Sequence, residues 1–140
     1  RDLGSPALTQ MVALGLWEER SAIAARRRSA AQAGRDIALR FLAEALPEWE
    51  VDRPASGLAL WARLPHHTGD DLAGIAGRHG VAVLPGSACA PDDEHRDRIR
   101  LSFLWPRPVL DEGLARLAAA WHHLEASAAP GRPPSTSRAG

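Results

Sequence analysis

The sequence predicts a small α+β sandwich, an antiparallel or mixed sheet with helices on one face. Three observations point there. Helical stripes and short apolar runs follow one another as helix, helix, strand, strand, helix, strand, strand, helix, an order that suits one sheet covered by helices. The 140 residues are enough for about one domain with a moderate core. Hydrophobic residues make up 45% of the chain, the ordinary share for a globular protein.

The elements follow from local signals. Ser5-Pro6 reads as an N-cap with proline in the first helical turn, and Leu8, Met11, Val12 and Leu16 continue the apolar pattern. A longer helix is expected over residues 22–46, with Ile37, Phe41 and Ala45 as its buried stripe and Arg26, Arg27, Arg28, Arg35 and Arg40 largely outside it. Pro47 ends it. Trp49-Glu50-Val51 is a short strand candidate, and residues 58–64 form a better one after the turn at Pro54-Ala55-Ser56-Gly57. Thr68 caps a helix whose first turn carries Asp70 and Asp71, acids that suit the positive end of the helix dipole. Leu72, Ile75, Ala76 and His79 form its stripe, and Gly80 stops it. Val81-Ala82-Val83-Leu84 reads as a buried strand, and Pro85-Gly86 suits a type II turn with positive φ at the glycine. Residues 98–103 form another strand. Pro108 opens a last helix with the stripe Leu110, Leu114, Leu117, Trp121 and Leu124. Residues 127–140 are Ser, Pro, Gly, Ala and Arg with little to bury, and are expected to be disordered.

Composition excludes several classes. Seventeen basic and seventeen acidic residues cancel, so no basic field draws nucleic acid or an anionic membrane surface. No apolar run approaches the roughly 20 residues that span a bilayer. Residues 1–4 show no start methionine and no signal-peptide pattern. Cys89 is the only cysteine, which rules out an intrachain disulfide and accords with a cytoplasmic location. Every basic residue is arginine, with no lysine among the 140. A Schiff base needs a primary amine that can lose its proton, and a guanidinium cannot supply one. The chain alone therefore has no catalytic residue for imine chemistry.

Four segments carry a resemblance. Asp2-Leu3-Gly4-Ser5-Pro6 resembles the stretch after the cofactor lysine in MocR-type proteins, which join a GntR-like DNA-binding domain to an aminotransferase-like domain. Ala55-Ser56-Gly57-Leu58-Ala59-Leu60-Trp61-Ala62-Arg63-Leu64-Pro65 resembles a strand of pyridoxal-phosphate (PLP) aminotransferases of fold type I, in which two glycines lead through an apolar run and a tryptophan to Leu-Pro. His79-Gly80-Val81-Ala82-Val83-Leu84-Pro85-Gly86-Ser87-Ala88 and Arg98-Ile99-Arg100-Leu101-Ser102-Phe103 resemble two further elements in the same order. Ser56-Gly57 stands where that family has two glycines, and Cys89 where an aromatic often follows. The resemblance covers residues 1–125 and implies the C-terminal small domain of such a protein. Residues 1–20 would be a helix continuing from a missing PLP-binding large domain, residues 21–126 the small domain, and residues 127–140 the tail. It also implies PLP in the parent but no cofactor held by this chain alone, a homodimeric parent, an amino-acid substrate or effector, and DNA binding only where an upstream domain supplies it.

Arg100 is the substrate-binding candidate. The resemblance assigns its position to the grip on an amino acid's carboxylate, and a guanidinium does bind a carboxylate through two parallel hydrogen bonds. Strand alternation puts Arg98 on the same side, where it reads as solvated. Cys89 reads as a bystander thiol. Asp92, Asp93, Glu94 and His95 read as a solvated acidic loop that matches no standard metal spacing. The pairs His66-His67 and His122-His123 read as surface residues, and neighbours on a helix point about 100° apart. The parent would be a transaminase or a PLP-responsive regulator. The alternatives are a stand-alone small-ligand domain using Arg100 and a dimerisation domain without cofactor.

Overall fold

The computed structural model describes residues 7–90 and 94–128. The Ser5-Pro6 cap, Asp92, Asp93 and residues 129–140 lie outside them. Four α-helices are described: α1 (Ala7–Glu18), α2 (Arg20–Ala45), α3 (Gly69–Arg78) and α4 (Arg107–Ala128). Four strands, β1 (Glu50–Val51), β2 (Ala59–Arg63), β3 (Leu84–Pro85) and β4 (Arg98–Ser102), form one sheet in the order β1-β2-β4-β3. Every pairing is antiparallel, so of the two sheet types expected the antiparallel one is present.

Alternation along β2 and β4 divides the sheet into two faces. Leu60, Ala62 and Ile99 are fully buried on one, against Leu72, Ala76, Leu117, Ala120 and Trp121 of α3 and α4. All five expected stripe residues of α4 are buried, and the helix continues through Ala128, two residues into the segment expected to lack structure. The other face carries Arg63, Arg100 and Ser102, all exposed. Among the described residues the helices thus cover one face and leave the second open.

Thr68 caps α3 with a reciprocal pair of bonds. Its hydroxyl accepts from the Asp71 N–H, and the Asp71 carboxylate accepts from the Thr68 N–H, which satisfies two amides that the helix start leaves without partners. Gly80 ends the turn after α3 at φ +73°, in the left-handed region that favours glycine. Its neighbour Val81 donates to the Ala76 carbonyl at 3.0 Å. That bond draws the chain back toward α3, so pairing with β4 begins only at Leu84. The strand expected over residues 81–84 is therefore shorter and displaced to Leu84–Pro85.

Two further differences have steric causes. Gly86 is not among the positive-φ glycines. It opens a 3₁₀ turn, and a Cβ there would collide with the His95 carbonyl, so close approach rather than a type II turn selects glycine. In α2 the buried residues are Gly34, Ala38, Leu39 and Leu42, while Ile37, Phe41 and Ala45 are only half-buried. Gly34 lies against the Phe103 carbonyl with no room for a side chain, so the small residues set the line of closest contact. No residue of α1 is buried.

Candidate functional site

Arg100 sits in the middle of β4, beside Trp61 of β2 and Leu84 of β3. These three positions make a row across the open face. In the adjacent row, Glu50, Arg63 and Arg98 face one another in register. Charges there are paired. Arg63 bonds Asp97 at 2.6 Å and Glu50 at 3.4 Å, and Arg98 reaches Asp52 at 3.2 Å. The Arg63 guanidinium beside Asp97 holds that carboxyl below the usual range, and Asp97 in turn raises Arg63.

Arg100 differs from both neighbours. It is exposed, and its side chain forms no ion pair or hydrogen bond within the described residues. An unpaired guanidinium on an open face keeps its five donors available for a planar anion. Arg98, expected to be solvated, is instead held by Asp52. Trp61 borders Arg100 on one side and meets His95 in a tilted ring contact at 5.5 Å and 58°, a residue that the sequence placed only in an acidic loop. Ahead of β3 a cavity of about 440 Å³ lies between residues 80–84, the end of β4 and the first half of α4, with Arg100, Leu84, Leu101, Trp105 and Val109 on its wall. The gap between residues 81–83 and β4 opens it.

The remaining candidates stand apart from this row. Cys89 is exposed and unpaired by disulfide, and Glu94 is exposed. His66 and His122 are exposed. His67, expected on the surface, has a side chain only 15% exposed, 2.8 Å from Glu125, with its ring edge-on to Trp121. His123 lies 3.1 Å from His79, a meeting of residues 44 apart in sequence that no local pattern announces. No group of three or more metal-ligating side chains occurs among the described residues, and no helix among them is long and apolar enough to cross a membrane.

Structural comparison of this α+β layer returns PLP-dependent aminotransferases of fold type I. No family model matches the chain. The α-aminoadipate aminotransferase LysN of Thermus thermophilus, solved with N-(5'-phosphopyridoxyl)-L-leucine, is similar at a TM-score of 0.80 and 29% identity, over 90% of this chain and 33% of LysN. An archaeal alanine:glyoxylate aminotransferase is similar at a TM-score of 0.61 and 30% identity, over 67% of this chain and 24% of its own. In sequence the chain is 29% identical over 116 residues to capreomycidine synthase of Streptomyces vinaceus, covering 81% of this chain and 28% of the synthase. The chain thus spans a third or less of the length of these relatives.

Proposed function

We propose that this chain is the C-terminal small-domain part of a PLP-dependent aminotransferase-like protein, in which Arg100 binds the carboxylate of an amino acid. The supporting observation is the contrast on the open face: Arg63 and Arg98 are neutralised by carboxylates, while Arg100 is exposed with no such partner among the described residues. A bound carboxylate would complete the Arg100 row as Asp52 and Asp97 complete the next.

No residue of this chain fits the cofactor's imine-forming role, because all seventeen basic residues are arginine. On this reading the lysine and the phosphate ligands belong to the remaining two-thirds of a relative-length protein, and residues 1–20 join the two parts. The parent is a transaminase or a PLP-responsive regulator of the MocR/GntR type, homodimeric and cytoplasmic, and it binds DNA only through a separate upstream domain. This chain contributes binding and orientation, since a two-point grip fixes the plane of the carboxylate and with it the position of the α-carbon.

The test is a titration of amino acids into the PLP-loaded parent, followed through the cofactor's absorbance. A charge-assisted pair contributes about 1.5–3 kcal/mol, so Arg100→Ala weakens binding roughly tenfold to over a hundredfold, while PLP binding survives. Arg100→Lys restores part of the affinity, because an ammonium lacks the planar fork. Arg98→Ala changes little. A response abolished by Arg98→Ala but not by Arg100→Ala overturns the register, and indifference to both overturns the carboxylate-binding role. Formation of a keto acid from the responsive amino acid distinguishes a transaminase from a regulator.

A further inference from the structure

We infer that His79 and His123 form a two-imidazole site for a late first-row divalent cation, Zn²⁺ or Cu²⁺, joining the end of α3 to α4. His79 is the C-cap of α3, and His123 lies in the last third of α4. His79 Nε2 and His123 Nδ1 are 3.1 Å apart, and the rings meet at 74° with centroids 5.4 Å apart.

The distance suits shared coordination. Zinc–imidazole bonds are about 2.0–2.1 Å, which puts two nitrogens about 2.9 Å apart at a right angle and about 3.3 Å apart in a tetrahedron. The observed separation falls between those limits. Two neutral imidazoles held this close share a single N–H···N bond, and an ion replaces it by taking a lone pair from each. The displaced proton moves to the outer nitrogen of the same ring, so both rings stay neutral and none is lost to solvent. Imidazole nitrogen suits zinc and copper rather than magnesium or calcium. No third His, Cys, Asp or Glu joins the pair among the described residues, so water completes the shell, and the exposure of His123 admits it. The charges nearby are already engaged. Arg116 of α4 bonds the Gly80 carbonyl and Glu112, and Arg78 turns back to the Gly74 carbonyl.

An ion that binds the folded state and not the unfolded one raises the unfolding midpoint. The full chain, freed of metal with a chelator, is melted with and without Zn²⁺ and followed by circular dichroism. The expected result is a Zn²⁺-dependent rise that His79→Gln and His123→Gln each abolish and that His122→Gln leaves intact. With Cu²⁺, electron paramagnetic resonance shows nitrogen coupling from two imidazoles in the native chain and from fewer in either variant. His79→Gln retains a side chain able to hydrogen-bond His123, so a variant that keeps its metal-free stability but loses the rise separates coordination from packing. Should His123→Gln fail to fold, His79→Gln at the helix end carries the comparison. No rise in the native chain, a rise that survives His79→Gln, or its loss in His122→Gln overturns the inference.

Discussion

Replacing Trp121 probes how α4 is fastened to the rest of the fold. The side chain is 1% exposed and lies edge-on to Trp49 at 5.2 Å and to His67 at 5.5 Å. Its indole N–H donates to Glu48 at 2.6 Å. Truncating a buried tryptophan to alanine costs about 3–5 kcal/mol. The two aromatic contacts, at about 0.5–1.5 kcal/mol per pair, place Trp121→Ala near the upper end of that range. Small domains hold only about 5–15 kcal/mol in total, so this one change removes a third or more of that at its upper end. Trp121→Phe keeps a ring against Trp49 and loses the N–H. Glu48 is exposed and its freed carboxylate returns to water, so the lost bond itself costs about 0.5–1.5 kcal/mol. Glu48→Ala isolates that part, and Trp121→Phe added to Glu48→Ala should cost less than the sum of the two. Urea unfolding followed by circular dichroism measures all four. A Trp121→Ala loss under about 2 kcal/mol at an unchanged slope, or equal losses for Phe and Ala, would refute the reasoning.

Three further outcomes follow from other parts of the molecule. Hydrogen bonds from the Thr68 hydroxyl and backbone N–H hold the Asp71 carboxyl below its usual range. The folded value lies below the unfolded one, so this stabilisation is complete above the unfolded carboxylate range, near pH 4 (about 3.9), and is lost as pH falls through the folded value. Thr68→Ala should cost about 1 kcal/mol at neutral pH, with the gap to the native chain narrowing in acid as the hydroxyl loses its carboxylate partner; a gap constant with pH counts against that bond. Leu8, Met11, Val12, Leu14, Leu16 and Trp17 are each more than half exposed, and a patch of that kind marks an interface. The isolated chain should self-associate in size-exclusion chromatography, and a monodisperse monomer that shields Trp17 from quencher would contradict this. Mixed with PLP and reduced with borohydride, the chain should show no stoichiometric adduct at an internal residue by mass spectrometry, since it has no lysine.

Sequence and structure agree where a local rule acts alone. The stripe of α4, the Thr68 cap and the strands at β2 and β4 depend on residues close in sequence, and period-2 alternation already put Arg100 and Ile99 on opposite faces. Disagreement begins where a distant atom decides. A carbonyl at Phe103 selects glycine at position 34, and one at His95 does so at 86; neither contact is visible along the chain. The valine run at residues 81–83 has the composition of a strand, but the bond from Val81 to Ala76 keeps it from the sheet. At the candidate site the arginine was legible and its isolation was not. That Arg98 is bound by Asp52, while the Arg100 side chain has no such partner among the described residues, depends on a cross-sheet register between residues 46 apart.

The burial pattern of α2 gives it a mechanical character. Its contact with the core begins at Ala31 and Gly34, so residues 20–30, at about 1.5 Å each, extend roughly 16 Å beyond the clamped end. At the clamp, Gly34 bears directly on the carbonyl that follows β4, the strand that carries Arg100. The helix is therefore a cantilever with its fulcrum at the end of β4 and α1 as its load. A tilt of about 5° at the fulcrum displaces the far end by about 1.4 Å over that length. Whatever surface α1 rests on would feel a small shift of the sheet as an amplified stroke, and a push on α1 would return to Arg100 as a small, stiff correction in angle.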